Sequence, residues 1–250
     1  MPVKKLKVLT AWSFSRWDKH AQCPLKARLS FIDKLKEPSS PQMERGAKIG
    51  EAAEQYVKGL IPASPLPPEL ERFAEEFKML RKRYAKKNHD GVVVEETWTF
   101  KSPAQGWAET TWDDWNNAWL RVKTDVAFTE GKDTLVIWDW KTGKYREDSE
   151  NVEKYMFQLE LYALAALLKF PKVKKVKVRL AFLDAGVFHP PDGQEPEYTP
   201  ADVPRLKALW VKRTNAMLVD TIFPARPNQY CKWCWFRKAN AANGGGQCAY

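Results

Sequence analysis

Val136-Ile137-Trp138-Asp139-Trp140-Lys141-Thr142-Gly143-Lys144 is the stretch on which the reading of this chain turns. A β-favouring apolar run carries an aspartate, a lysine two positions later, and a break at Gly143. Residues two apart in a strand share a face, so Asp139 and Lys141 stand side by side, with Leu135 and Ile137 on the same surface. Two charges on a partly buried face are costly unless they pair with each other, a metal or a ligand. Taken alone, the pair fits a salt bridge at a strand end as well as it fits a reactive centre.

Outward from this strand the period stays near two. Val92 to Phe100, Ala118 to Phe128 and Thr134 to Lys141 read as strands, and Glu130-Gly131-Lys132-Asp133 turns the second into the third as a hairpin. That pairing sets Asp125 roughly opposite the Trp138-Asp139 region. Glu153 to Phe170 reads as a largely buried helix in which Gln158 and Tyr162 are two polar tips one turn apart. A basic strand, Val173 to Leu183, and a helix from Pro204 to Asp220 follow. Strand, strand, strand, helix, strand describes an α/β fold with a mixed central sheet and a crossover helix. No repeat and no second core is visible, so residues 1–250 are expected to form a single domain. Its parts are a helical arm over 1–90, an α/β core over 91–190 and a C-terminal helix and tail over 191–250.

Before the sheet, a basic lead-in from Met1 to Leu9 precedes a helix capped by Ser13 or Ser15 and ending near Cys23-Pro24, then a second from Leu25 to Leu35. Ser40-Pro41 starts a helix running to about Gly59. Gly46, Gly50 and Glu54 recur along it at a spacing of four, and Glu54 is the ionisable member of that row; a solvated glutamate is the plainer reading of it. After a proline-rich linker, Glu69 to Asn88 reads as an amphipathic helix ending in Lys82, Arg83, Lys86 and Lys87. Trp107, Trp112, Trp115 and Trp119 crowd the segment before the hairpin, either buried or available to stack on bases.

The formal charge of +10 points to a polyanionic partner, nucleic acid first, with an acidic protein or membrane headgroups as other fits. No apolar run reaches the roughly 18 residues a membrane span requires, and the N-terminus lacks a signal-peptide pattern, so a cytoplasmic setting is expected. The four cysteines are then better read as metal ligands or free thiols than as disulfides. Cys231-Lys232-Trp233-Cys234 has a metal-ligand spacing, and Cys248 and Cys23 complete a set of four, suited to tetrahedral zinc or an iron-sulfur cluster.

Together these features resemble the PD-(D/E)XK nuclease superfamily in its RecB-like branch. The resemblance runs over nearly the whole chain, through Ser13-Phe14-Ser15-Arg16-Trp17 with Cys23-Pro24, the Arg45-Gly46 helix reaching Glu54, and Asp125 in the second strand. It continues through Asp139-Trp140-Lys141-Thr142-Gly143-Lys144, the Gln158 to Tyr162 helix, and the cysteine-rich tail after Phe223-Pro224. It implies a restriction-endonuclease-like core, a helical arm and a cysteine-clasped tail. The implied activity is a metal-dependent DNA nuclease, an exonuclease of phage or prokaryotic recombination, repair or replication. Asp125 and Asp139 would bind magnesium or manganese, Lys141 would orient the attacking water, and Gln158 and Tyr162 would position DNA and the site. Cys23, Cys231, Cys234 and Cys248 match the branch that carries a 4Fe-4S cluster, with structural zinc as the alternative. The implied partners are DNA, bound through phosphates without sequence preference, and a single-strand annealing or replication protein. The branch usually has a histidine ligand where this chain has Gly50, which leaves Glu54, Glu51 or water to fill the place, Glu54 being better placed one turn away on the same face, and a catalytically weakened or inactive DNA-binding module as the alternative function.

Overall fold

One mixed sheet organises residues 41–207. Its strands are β1 (Val92–Phe100), β2 (Glu109–Thr110), β3 (Leu120–Glu130), β4 (Thr134–Lys141), β5 (Lys175–Phe182), β6 (Val187–His189) and β7 (Glu197–Tyr198). The order is β2-β1-β3-β4-β5-β6, with β7 also on β5; only β4 and β5 run parallel. A parallel neighbour needs a crossover. The helix Glu150–Lys169 supplies it and packs on β4 and β5. In chain order the helices are α1 (Phe14–Gln22), α2 (Pro24–Phe31), α3 (Pro41–Val57), α4 (Ala74–Tyr84), α5 (Glu150–Lys169) and α6 (Val203–Leu218). The computed structural model describes residues 8–250, and the chain forms two compact units, 41–207 and the terminal segments up to 40 and from 208. Most of the basic lead-in lies outside the described residues.

Alternation along the strands builds the core of the sheet unit. Val92, Val94, Val126, Phe128, Val136 and Trp138 meet Ile49, Ala53, Tyr56 and Val57 of α3 and Phe77 and Leu80 of α4. The opposite phase of β4 carries Ile137 and Asp139 towards α5, whose Leu159, Leu161, Leu164 and Ala165 are fully buried. The mixed α/β architecture is the one read from the sequence.

Several boundaries differ for local reasons. α5 starts at Glu150, three residues before the sequence expectation, because Ser149 caps it, accepting a hydrogen bond from the Val152 N–H at 3.3 Å. The expected helix over 69–88 is divided. Residues 68–73 form a 3-10 turn, Phe73 leaves helical geometry at φ −124°, ψ 34°, and α4 begins at Ala74. It ends at Tyr84, after which Asn88, His89 and Asp90 take left-handed backbone, a conformation that Asn, Asp and His tolerate best, and turn the chain into β1. α2 stops at Phe31 instead of Leu35, closed by the Ile32 and Asp33 N–H groups bonding to the Arg28 carbonyl.

In the terminal unit, Trp12 stacks on Trp210 at 5.6 Å and Trp17 meets the same ring edge-on at 5.4 Å. The Trp17 indole N–H donates to the Arg213 carbonyl at 3.0 Å, and His20 pairs with Asp220 at 2.9 Å. The first and last parts of the chain therefore share one small core.

Candidate active site

The site forms where β4 leaves the sheet. Asp139 and Lys141 occupy alternate positions of that strand and make an ion pair, with side chains 3% and 16% exposed. α5 completes the surroundings of the lysine. Gln158 accepts from Lys141 Nζ at 3.1 Å and donates through its amide nitrogen to the Tyr162 hydroxyl at 2.5 Å, while the Tyr155 ring lies 4.2 Å from the ammonium. Burial alone would lower the lysine pKa, but Asp139 and Asp125 outweigh it and hold the ammonium more firmly charged. Burial raises the Tyr162 pKa well above the ordinary range, and the nearby carboxylates add to it, so its hydroxyl stays protonated.

The hairpin register extends to place Asp125 opposite Asp139, although the last paired residues are Val126 and Trp138. Beyond that rung the backbones part and the Asp125 side chain takes over, its Oδ2 accepting the Trp140 N–H at 2.6 Å. Desolvation, then the neighbouring Asp139 charge, push the Asp125 carboxyl well above the usual range; Lys141 and the Trp140 N–H oppose this. A cation between the two aspartates would relieve their repulsion. Asp139 Oδ2 is buried and its partner is the Lys141 ammonium alone, so the carboxylate retains lone pairs for a cation.

Glu95 is the site residue that the sequence did not announce. The β1–β3 ladder is regular from Val92↔Phe128 to Phe100↔Leu120 except for one missing rung, where Glu95 stands opposite Asp125. Its φ is +55°, left-handed backbone that a glutamate adopts at a cost of about 1–2 kcal/mol. Its side chain is 14% exposed and paired with Lys123, and its charge adds to the upward shifts of Asp125 and Tyr162. A carboxylate held in strained backbone opposite Asp125 is a departure that periodicity cannot show.

α3 approaches the end of β4, and the approach explains one of its glycines. A Cβ on Gly46 would sit 3.3 Å from Thr142 Oγ1, a tight contact. A Cβ on Gly50 would meet nothing within 4 Å, so that position faces open space. Glu54 is bonded to Lys58, just past the end of α3, at 2.5 Å, and Glu51 to Gln55 within α3 at 3.0 Å. Glu54 is also near enough to Lys123 to favour its charged form, as Glu95 and Asp125 do. Arg45 forks onto Asp184 at 2.8 and 2.6 Å, and Asp184 also accepts the Gly143 N–H at 2.5 Å. Gly143 has a φ of +100°, so the turn that ends the motif needs a glycine there.

Among the described residues, no three His, Cys, Asp or Glu side chains gather closely enough to enclose an ion by themselves. Two carboxylates remain a fitting site for magnesium or manganese, which keep waters and complete their coordination with substrate oxygens. In the terminal unit, Cys23, Cys231, Cys234 and Cys248 are all free and line one cavity of about 40 Å³. The Arg226 and Asn228 N–H groups point at Cys23 and Cys231 sulfurs at 3.5 and 3.3 Å, donors that suit thiolates. Burial raises the Cys234 thiol pKa, so that sulfur stays protonated without a metal.

Comparison with known proteins adds a family. No curated protein matches the chain. A crystal structure named "Putative exonuclease" from Eubacterium rectale aligns with 94% of this chain and 88% of its own at 11% identity and a TM-score of 0.47. The crystal structure of SSO0001 aligns with 93% and 86% at 13% identity and a TM-score of 0.41. The profile of the PD-(D/E)XK nuclease superfamily matches residues 11–239, a span that takes in both strands bearing Asp125 and Asp139-Trp140-Lys141 and the helix behind them. This chain belongs to the PD-(D/E)XK nuclease superfamily.

Proposed function

We propose that the chain is a metal-dependent deoxyribonuclease of the RecB-like branch, an exonuclease of DNA recombination, repair or replication in a bacterial or phage-infected cell. The observation that carries this reading is the Lys141 ammonium fixed between Asp139 and Gln158 beside Asp125. Magnesium or manganese held by Asp125 and Asp139 would supply Lewis-acid chemistry at the phosphodiester. Lys141 places a permanent positive charge where the phosphorus becomes more negative in the transition state, and orients the attacking water. Gln158 fixes the lysine, and Tyr162 fixes Gln158. Glu54 is the candidate third protein ligand, on release from Lys58. Lysines and arginines of the flanking elements would hold phosphates without reading sequence.

Cys23, Cys231, Cys234 and Cys248 are the proposed ligands of a 4Fe-4S cluster, with zinc as the alternative. Anaerobic purification separates them, because a cluster protein is brown and carries equal iron and sulfide, whereas a zinc protein is colourless. A single-strand annealing or replication protein is the proposed functional partner.

The deciding experiment is digestion of end-labelled DNA with magnesium, manganese or EDTA by wild type and Lys141→Ala. Divalent-dependent cleavage that disappears in the variant supports the reading; equal cleavage by both sinks it. The open space at Gly50 favours one second reading, a DNA-binding module whose cleavage has lapsed. It predicts DNA binding in EDTA, no cutting with any divalent ion, and recovered cutting in Gly50→His.

A further inference from the structure

The tryptophans of the segment before β3 separate into two kinds. Trp107 is buried and its ring meets Trp119 edge-on at 5.1 Å, which makes that pair part of the packing. Trp112 and Trp115 are 42% and 73% exposed. They bracket Arg121, whose guanidinium carbon lies 5.3 Å from the Trp112 ring centre and 4.7 Å from that of Trp115. Arg121 donates to the Trp112 carbonyl at 3.1 Å, is only 7% exposed, and keeps its Nε buried without a hydrogen-bond partner. A buried cation with an unused donor between two wet indoles is an arrangement that burial alone does not reward.

The segment holding these rings is preorganised. Asp114 accepts from Thr110 Oγ1 at 2.6 Å and from the Asn117 backbone and amide at 3.2 and 3.0 Å, and the Ala118 N–H bonds to the Asp114 carbonyl at 2.8 Å. Its carboxylate is thereby committed internally, although Asp113 beside it remains a repulsive charge. From the rings, two cations lead towards Asp125, the second of them paired with Glu95. Arg121 and Lys123 share one side of β3, and Lys123 lies within electrostatic reach of Asp125. The four residue steps from Arg121 to Asp125 span about 13 Å, roughly four stacked nucleotides at ~3.4 Å each.

We propose that Trp112, Trp115 and Arg121 form a base-stacking platform for single-stranded DNA, which then passes over Lys123 to the carboxylates at Asp125 and Asp139. The assignment rests on the nuclease reading and names its substrate class as a strand with unpaired bases. In a duplex each base face is already covered by its neighbours, whereas an unpaired base offers its face to an indole. The guanidinium between the rings supplies the phosphate with a positive charge at the same place.

The test is fluorescence anisotropy in EDTA, so that nothing is cut, using labelled oligothymidylate, an abasic strand of equal length and a blunt duplex. Trp115→Ala should weaken oligothymidylate binding about tenfold, with Trp112→Ala similar, and leave the abasic strand and duplex unchanged. Trp115→Phe, which keeps a stacking face, should retain most of the affinity and so separate stacking from misfolding. Unchanged oligothymidylate affinity in the double alanine variant, or an equal loss for the abasic strand, overturns the platform. Should wild type cut the duplex in the manganese digestion while the double variant binds oligothymidylate normally in EDTA, only the platform falls. Should wild type bind none of the three, the nuclease reading falls with it.

Discussion

Replacing Lys141 by methionine separates the charge of this side chain from its volume, and its effect on stability can be worked from the site. Methionine fills nearly the same space, so no cavity term enters. What remains is Asp139, 2% exposed overall, with Asp125 beside it and no internal cation. Removing one member of a buried pair costs about 3–5 kcal/mol because the other charge is left uncompensated. For a chain of this length each kcal/mol moves the melting temperature by about 2–4 °C, so Lys141→Met should melt about 10 °C below wild type in EDTA. Manganese should narrow that gap, since a cation between the aspartates replaces the missing charge and therefore binds the variant more tightly than wild type; each tenfold difference in Kd recovers about 1.4 kcal/mol. Differential scanning calorimetry of both proteins, with EDTA and with manganese, reads both effects. An unchanged melting temperature in EDTA would refute the account of the buried pair. A gap that manganese leaves intact would refute the placement of the cation.

Three further outcomes follow from neighbouring residues. Gly50→His should bind manganese more tightly by calorimetric titration without loss of stability, because its side chain enters open space and glycine is a poor helix residue; weaker binding would remove α3 from the metal site. Glu95→Gly should raise stability by about 1 kcal/mol through relief of the left-handed backbone, and should slow cleavage; a destabilised variant with full activity would mean that the strain serves only Lys123. Arg45, through its hydrogen bonds, depresses the Asp184 pKa, and the Gly143 N–H adds to this against burial. A depressed carboxylate stabilises the fold above its unfolded pKa, about 4, and loses that contribution as pH falls through the lower folded value. The melting-temperature difference between wild type and Arg45→Met should therefore be full at neutral pH and shrink below about pH 4; a constant difference would show that the pair acts by packing.

What could be read from the sequence followed the strength of local patterns. β1 and β4 were legible to the residue because period-two runs end sharply at a proline-bearing loop and at Gly143. The hairpin turn then fixed Asp125 against Asp139 to within a residue. Glu95 was hidden because Val92-Val93-Val94-Glu95-Glu96 is an ordinary strand sequence, and only the partner strand makes its broken rung meaningful. The division at Phe73 was missed because apolar spacing carries across a 3-10 turn without interruption, while the Ser149 cap was a readable signal. Composition counted the tryptophans of the Trp107 to Trp119 segment as one group; their separation into packed and exposed pairs depends on where the turn at Asp114 points them.

The hydrogen bond from the Trp140 N–H to the Asp125 carboxylate makes this aspartate a rung of the sheet as well as a proposed metal ligand. A descendant that drifted out of catalysis could not discard it freely, since alanine there would orphan a backbone donor between two strands. Selection on folding would keep an aspartate, or an asparagine, at this position long after selection on cleavage had ceased. Lys141 has no such second duty to the backbone. Its loss alone would leave Asp139 buried and unpaired, but a buried pair can be replaced together at little cost, so among relatives of this chain it is the joint survival of Asp139 and Lys141 that reports cleavage still under selection.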